Sequence, residues 1–223
     1  MTFTNLNHVP HAALRAKIIE IALKMNRLGI NQGKSGNVSA RLADTQDAFL
    51  ITPTGIAYEE TKPDQIVSMR CDGSFDGAVL PSSEWRFHAD IYKARADVHA
   101  IVHTHSAFAT TLACMSREIP AFHYMVAVAG GDNIRCAPYA TFGTQALSDY
   151  AVAALKDRNA CLLAQHGMIA VAANLDRAFA IAVEVETLAR MYWQALQIGT
   201  PPILSAAEMV SVIEKFKTYG QQH

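Results

Sequence analysis

Apolar residues recur with the period of a helix in several segments of the chain. Between residues 11 and 28 they repeat at spacings of three and four, and Gly29 follows where a helix would end. Near the C-terminus, Ser205 and Glu208 form a capping-box pattern that predicts another helix start. The pattern predicts helices at residues 11–28, 81–95, 106–115, 143–157, 174–198 and 205–219, with Ser82 or Ser83 as N-cap of the second and Asn174 of the fifth.

Short apolar runs between these helices predict β-strands. They lie at residues 38–42, 48–52, 98–105, 160–165 and 168–172. The last two are separated only by His166 and Gly167, which is typical of a tight connection. Helices and strands alternate without a linker, repeat or low-complexity segment. The sequence therefore predicts a single α/β domain over residues 1–223, with helices packed on a central sheet.

Composition and charge indicate which kinds of molecule the protein could bind. Hydrophobic residues make up 51% and charged residues 17% of the 223 residues, against about 25% charged in typical chains, so we expect part of the surface to be buried in an oligomer. The net charge is −1 and Lys and Arg form no runs, which argues against nucleic acid and anionic membranes as partners.

The sequence shows no targeting signal and no closely spaced pair of cysteines. No signal-peptide or membrane-span pattern is found, so we expect a cytoplasmic protein. The cysteines lie far apart without a C-x-x-C pair, and we expect Cys71, Cys114, Cys136 and Cys161 to be reduced.

Three histidines lie in the predicted strand 98–105. Alternation places His103 and His105 on one face with Cα atoms about 6.6 Å apart, whereas His99 would lie about 13 Å from His103. Two convergent imidazoles favour zinc over calcium or magnesium, which prefer oxygen ligands. A third ligand is needed, and His166 is a candidate because a surface turn more usually carries Asn, Asp or Ser beside its Gly.

The remaining histidines offer no partner that spacing identifies. His88 is expected on the helix that opens at Pro81, and His123 stands alone in the pattern. The others lie near the termini, at positions expected to be solvated: His8, His11 and His223.

Small residues and one acid could form an anion site. Glu84 lies in the first turn of a predicted helix, behind Ser82 and Ser83, where free backbone N–H groups attract anions. The turns Gly36-Asn37 and Thr54-Gly55 could offer further N–H groups to a phosphate. Each of these turns, taken singly, is equally compatible with an ordinary loop.

Five motifs, taken in order, resemble those of the class II aldolase and adducin family over essentially the whole chain. They are Gly36-Asn37-Val38-Ser39, Thr52-Pro53-Thr54-Gly55, Pro81-Ser82-Ser83-Glu84, His103-Thr104-His105 and Gln165-His166-Gly167. The resemblance implies a three-layer α/β/α domain with a mostly antiparallel sheet. It also implies a homotetramer with active sites between neighbouring subunits.

The same resemblance assigns roles to residues. It implies one zinc ion per subunit, held by His103, His105 and His166, with Glu84 as a fourth ligand that leaves when substrate arrives. It implies a phosphate site formed by Gly36, Asn37, Thr54, Gly55, Ser82 and Ser83. It places Tyr124 in the neighbour's site, Phe142 beside the aldehyde, and Tyr219 in a mobile C-terminal tail.

The activity implied is zinc-dependent retro-aldol cleavage of a phosphorylated ketose. L-Fuculose 1-phosphate is the expected substrate, giving dihydroxyacetone phosphate and L-lactaldehyde. Glu84 would exchange the proton, with a pKa that burial could raise towards the working pH, and Tyr124 would handle the aldehyde-side oxygen.

Other functions within the family stay open at this point. They include aldolases for ribulose or rhamnulose phosphates, a methylthioribulose-phosphate dehydratase and L-ribulose-5-phosphate 4-epimerase. The epimerase pattern calls for Asp where Glu84 stands. Adducin head domains are interaction modules that have lost the metal-binding residues, and this sequence keeps them.

Overall fold

A single eight-stranded sheet organises the computed structural model, which describes residues 10–45 and 47–216. The strands are β1 (Asn37–Arg41), β2 (Ala48–Ile51), β3 (Val67–Arg70), β4 (Phe75–Asp76), β5 (Ala100–Thr104), β6 (Cys136–Ala137), β7 (Ala160–Leu163) and β8 (Gly167–Ala172). Their order is β4-β3-β2-β1-β5-β8-β7-β6, and only β6 and β7 pair in parallel. The predicted, mostly antiparallel sheet is confirmed.

Helices cover both faces of this sheet. They are α1 (Ala12–Arg27), α2 (Trp85–Ala94), α3 (Ala107–Cys114), α4 (Gln145–Ala154), α5 (Leu175–Ile198) and α6 (Ala206–Phe216), with 3-10 helices at Pro63–Gln65 and Tyr124–Ala129. Helices α1, α3 and α5 pack on one face, and α2 and α4 pack together on the other. The α/β architecture, with helices flanking the sheet, is as predicted. None of the helices in the described ranges is long and apolar enough to cross a membrane.

Alternation along the central strands divides the interior into two cores. In β5, Ala100 and Val102 face the core under α1 and α5, whereas Ile101 faces the core under α2 and α4. His103 has the same parity as Ile101, and its ring lies 5.5 Å from that of Phe87 on α2. The core under α2 and α4, which we call the second core, therefore borders the polar residues at the end of β5.

The helix predicted from Pro81 begins later, at Trp85. Pro81 forms a β-bridge with Pro53, and the Ser82 N–H donates to the Thr52 carbonyl at 3.0 Å, so this backbone pairs as a strand would. The N-cap is Glu84, and neither Ser82 nor Ser83 caps the helix as expected.

Other local predictions are confirmed. Asn174 caps α5 by accepting from the Arg177 N–H at 2.9 Å, and Ser205 accepts from the Glu208 N–H at 3.1 Å. The four cysteines are free. The predictions missed β3, β4 and β6, and Tyr219 lies outside the described residues.

Candidate metal centre

The end of β5 presents two imidazoles to one space. His103 pairs in register with Ile169 of β8 and with Asn37 of β1, and it is fully buried. His105 follows two residues later and is half-buried. Their Nε2 atoms lie 3.0 Å apart, as the predicted alternation requires.

The tight turn between β7 and β8 brings His166 to the same space. Gln165 adopts the left-handed conformation, with φ of 50°, and reverses the chain. A Cβ atom on Gly167 would lie 2.5 Å from the Thr104 carbonyl oxygen and 2.9 Å from the His105 ring. The absence of a side chain at Gly167 therefore lets the turn close on the end of β5.

Glu84 reaches the imidazoles because two loops pair with each other. The Thr54 N–H donates to the Leu80 carbonyl at 3.1 Å, which holds the segment before α2 against the segment after β2. At the start of α2, the Glu84 carboxylate is 5% exposed. Its oxygens lie 3.2 Å from His103 Nε2 and 3.0 Å from His166 Nε2.

Four ligand atoms thus converge within 4.8 Å of one another, from Glu84, His103, His105 and His166. The ring centroids of the three histidines are 4.9 Å apart in each pair, with the rings edge to face. Within the described part of the chain, Glu84 Oε1 is buried without a hydrogen bond. Imidazole nitrogens and a carboxylate are donors that metal sites use, and this cluster could hold a metal ion.

The tautomer of His103 fits a cation as well. Its Nδ1 lies 2.9 Å from the Met168 carbonyl oxygen, which can only accept, so the ring donates there and leaves a lone pair on Nε2. Zinc–nitrogen bonds of about 2.0–2.1 Å in a tetrahedral shell would place ligand nitrogens about 3.3 Å apart. The Nε2 atoms of His103 and His105 are at nearly this separation.

The cluster shifts the pKa values of its own members. Burial raises the pKa of Glu84, but the imidazoles of His103 and His166 outweigh burial and hold this pKa below its ordinary value. The net direction is opposite to the upward shift expected from the sequence. Burial, together with the neighbouring His103, lowers the pKa of His105 to about 3. His105 is therefore neutral at physiological pH, as a metal ligand must be.

Four buried residues join Glu84 to the second core by hydrogen bonds. We call Asn37, Ser39, His88 and Tyr92 the buried network. Asn37 Nδ2 donates to Glu84 Oε2 at 2.9 Å, and Asn37 Oδ1 contacts His88 Nε2. Ser39 Oγ lies 2.6 Å from His88 Nδ1 and 2.8 Å from the Tyr92 hydroxyl. His88, for which spacing identified no partner, is thus two hydrogen bonds from the cluster.

A cleft of about 480 Å³ opens above the cluster. Of the residues predicted to bind phosphate, Thr54, Gly55 and Ser83 line it. The other three lie outside its wall: the Asn37 side chain bonds Glu84, the Gly36 carbonyl accepts from Tyr58, and Ser82 Oγ accepts from the Glu84 N–H.

Several residues of the cleft were not predicted from the sequence, and Lys34 is the most important of them. Among the described residues that line the cleft, Lys34 is the sole lysine or arginine, and its Nζ donates to the Gly55 carbonyl at 2.8 Å. Its position beside the small-residue turn Gly36-Asn37 was the available signal. Ser35, Tyr139 and Gln165 also line the cleft.

The aromatic residues expected near the substrate divide into two groups. Phe142 lines the cleft and is 64% exposed. Tyr124 is 50% exposed and begins a 3-10 helix that packs on α6, and it is not part of the cleft wall.

Comparison with known proteins agrees with this architecture. The profile of the Class II Aldolase and Adducin N-terminal domain matches residues 16–193. A 5-methylthioribulose-1-phosphate/5-deoxyribulose-1-phosphate aldolase of Rhodospirillum rubrum is 54% identical over 208 residues, 93% of each chain. An L-fuculose phosphate aldolase of Escherichia coli (strain K12) is 51% identical over 208 residues, which cover 93% of this chain and 95% of that one.

A solved structure agrees as well. An L-fuculose 1-phosphate aldolase superposes with a TM-score of 0.90 at 41% identity, covering 94% of this chain and 99% of that one. The fold, the ligand cluster and these similarities together show that the chain belongs to the class II aldolase and adducin family.

Proposed function

We propose that the chain is a metal-dependent aldolase that cleaves a 1-phosphorylated ketose between C3 and C4. The observation that carries the proposal is the convergence of four ligand atoms within 4.8 Å beneath an open cleft. Glu84, His103, His105 and His166 would hold one zinc ion per subunit. The aldolases of this family are metal-dependent, and the imidazole-rich donor set favours zinc.

The metal and Glu84 would divide the chemistry. A bound zinc ion supplies a Lewis acid that stabilises the negative charge left on the dihydroxyacetone phosphate fragment. Glu84, whose lowered pKa keeps it ionised at neutral pH, removes a proton from C3 of that fragment in the synthetic direction. In cleavage, protonated Glu84 would give a proton to C3, and the C4 hydroxyl would release a proton as it becomes the aldehyde.

The substrate phosphate would bind at the mouth of the cleft. Thr54, Gly55 and Ser83 offer hydroxyl and backbone donors there, and Lys34 offers a positive charge. Gly36, Asn37 and Ser82 lie outside the cleft wall, with hydrogen bonds to Tyr58 and Glu84. Anchoring the phosphate away from the reacting carbons fixes C3 beside Glu84, so binding energy is used for orientation.

The aldehyde half would lie near Phe142, with Tyr124 of a neighbouring subunit at its oxygen. We propose a homotetramer because Tyr124 is half exposed and outside the cleft wall of its own subunit. The low share of charged residues also supports an extensive subunit interface.

L-Fuculose 1-phosphate is the first candidate substrate. Cleavage between C3 and C4 gives dihydroxyacetone phosphate and L-lactaldehyde. The relative at 54% identity favours a second candidate, 5-deoxyribulose 1-phosphate or its 5-methylthio analogue. These give the same phosphate fragment and a two-carbon aldehyde that carries a hydrogen or a methylthio group.

The test is release of dihydroxyacetone phosphate from zinc-loaded protein supplied with each of the three ketose phosphates. We expect rapid release that a chelator abolishes and that added zinc restores, and the three values of kcat/KM rank the substrates. Absence of release from metal-loaded protein with all three would contradict the proposal and favour the epimerase or a non-catalytic, adducin-like module.

A further inference from the structure

The buried network forms because every second residue of β1 and every fourth residue of α2 have nearly the same spacing. Alternate residues of β1, Asn37 and Ser39, are about 6.8 Å apart on one face. Successive turns from the start of α2 place Glu84, His88 and Tyr92 about 6 Å apart along the axis. Asn37 therefore lies between Glu84 and His88, and Ser39 lies between His88 and Tyr92.

Each hydrogen bond nearest the cluster has a defined direction. The Glu84 carboxylate can only accept, so the amide nitrogen of Asn37 donates to it and the amide oxygen faces His88. His88 must then donate from Nε2. Its ring is fully buried, and burial lowers its pKa to about 3, so the ring is neutral and its Nδ1 accepts.

The rest of the network follows from that tautomer. Ser39 Oγ donates to His88 Nδ1 and accepts from the Tyr92 hydroxyl, whose pKa burial raises. Each hydrogen bond of the network is thus donated in the direction of Glu84. No other orientation satisfies all of these buried groups at once.

We propose that His88 is a positioning residue for the metal centre: it fixes the Asn37 amide so that the nitrogen, and not the oxygen, faces Glu84. Without a donor at His88, the Asn37 oxygen is buried without a partner, and the amide can rotate away from the carboxylate. The inference rests on the proposed metal centre and adds a residue that lies outside its ligand set.

The consequence concerns how Glu84 is presented. Asn37 donates to Oε2, which also lies 3.2 Å from His103 Nε2, while Oε1 lies 3.0 Å from His166 Nε2. If the amide rotates away, the carboxylate loses a charge-assisted hydrogen bond and its orientation is less well defined. Groups that orient metal ligands typically change metal affinity or activity by about 10–100-fold when removed.

Three variants separate positioning from packing. His88→Phe keeps a ring that can stack on Phe87, now at a centroid distance of 4.6 Å, but removes the donor. His88→Gln places an amide N–H within reach of Asn37 and restores the donor. Ile91→Val is the matched control, since it loosens the same core on the same helix without touching the network.

The readouts are the cobalt dissociation constant, the visible spectrum of cobalt-loaded protein, and kcat and KM. For His88→Phe we expect about 10–100-fold weaker cobalt binding, an altered spectrum, and a lower kcat at a KM within about twofold of wild type. His88→Gln should recover the wild-type spectrum and most of the affinity. Ile91→Val should leave the spectrum unchanged.

A folded His88→Phe protein with wild-type cobalt affinity and spectrum would overturn the proposal, as would an Ile91→Val protein with the same spectral change. If His88→Phe does not fold, Ser39→Ala decides. Without the hydroxyl, His88 Nδ1 loses its donor and the ring is held only through Asn37, so the spectrum should change, and an unchanged spectrum counts against the proposal.

Failure of the proposed function gives a different result. A wild-type protein that releases no dihydroxyacetone phosphate, but whose cobalt readouts follow the expected pattern, contradicts the aldolase activity alone. A wild-type protein that binds no cobalt contradicts both.

Discussion

Glu84 carries two proposed roles, metal ligand and proton carrier, and a single substitution separates them. Glu84→Gln keeps an oxygen that can bind metal but removes the group that exchanges a proton. We expect zinc content and fold to be retained while turnover falls about 10²–10⁴-fold. Metal analysis and the release of dihydroxyacetone phosphate measure the two effects. His103→Ala is the comparison, because it should lose the metal; wild-type turnover in Glu84→Gln would exclude Glu84 as the proton carrier.

Lys34 tests the phosphate end of the cleft. Replacing it with Gln removes a positive charge but keeps the polar side chain, so we expect KM to rise about tenfold and kcat to change little. The effect should shrink at high ionic strength. Lys24→Gln is the control, since Lys24 pairs with Glu20 on α1, away from the cleft. An unchanged KM in Lys34→Gln would remove Lys34 from the phosphate site.

His88 makes stability depend on pH in a defined direction. Its pKa is about 3 in the folded protein and about 6.5 when unfolded, so the unfolded state binds an extra proton between these values. Stability contributed by the neutral ring is therefore complete above pH 6.5 and is lost as pH falls. Its slope reaches about 1.4 kcal/mol per pH unit.

Urea denaturation of the metal-free protein at pH 7 and pH 5 measures this effect. We expect wild type to lose more stability than His88→Gln over that interval, because Gln does not titrate. Equal losses in the two proteins would show that His88 does not contribute.

Among single residues, the sequence predicted the side chains that converge in the cluster better than it predicted the residues behind them. Alternation in one strand was enough to pair His103 with His105, and the family motifs added Glu84 and His166. The partners of His88 depend on how β1 and α2 are aligned in space, and periodicity within either element carries no such information. Lys34 was missed for a similar reason, since only the folded loop brings it to Gly55.

The hairpin between β7 and β8 tests the site at the scale of an element. Gly167→Ala would place a methyl group 2.5 Å from the Thr104 carbonyl oxygen, so the turn must move away from the end of β5. We expect a loss of about 1–3 kcal/mol in the free energy of unfolding, together with weaker zinc binding.

Denaturation and metal titration measure both quantities for this variant. Gly199→Ala is the control, because the space around the added methyl group is open and the backbone there is extended. Unchanged zinc affinity in Gly167→Ala would show that the turn does not set the position of His166.

Element boundaries were predictable where local chemistry decided them. Asn174 and Ser205 cap their helices because their side chains bond the first free N–H groups. The start of α2 was misplaced because a bridge to Pro53 outweighs the local preference of residues 81–84 for a helical turn. Strands β4 and β6 have two residues each, too few for alternation to be visible.

At the scale of the whole molecule, the proposed tetramer makes two predictions that belong together. Sedimentation should give four times the subunit mass of 24.3 kDa. If each site takes Tyr124 from a neighbour, Tyr124→Phe and Glu84→Gln subunits mixed in one ring should recover activity at about a quarter of the sites. Each variant by itself should have little activity, and mixing without recovery would contradict shared sites.

Sequence reasoning was most complete for the architecture and least complete for assembly. Helical and strand periods, together with the motifs, were sufficient for an α/β fold with a mostly antiparallel sheet, since these features are repeated along the chain. The single domain over residues 1–223, the cytoplasmic location and the tetramer stay predictions. An interface depends on how exposed residues such as Tyr124 match a second surface, and one sequence does not encode that match visibly.

The walls of the cleft and its floor come from different parts of the chain. The ligand cluster lies on β5, the β7–β8 turn and the start of α2, whereas Tyr139, Ala140 and Phe142 lie between β6 and α4. Selection for a new aldehyde can therefore act on one short connection while the reaction centre is inherited unchanged. Residues 138–144 are the place to begin a redesign for another aldehyde, because a change there leaves the metal-binding side chains in place.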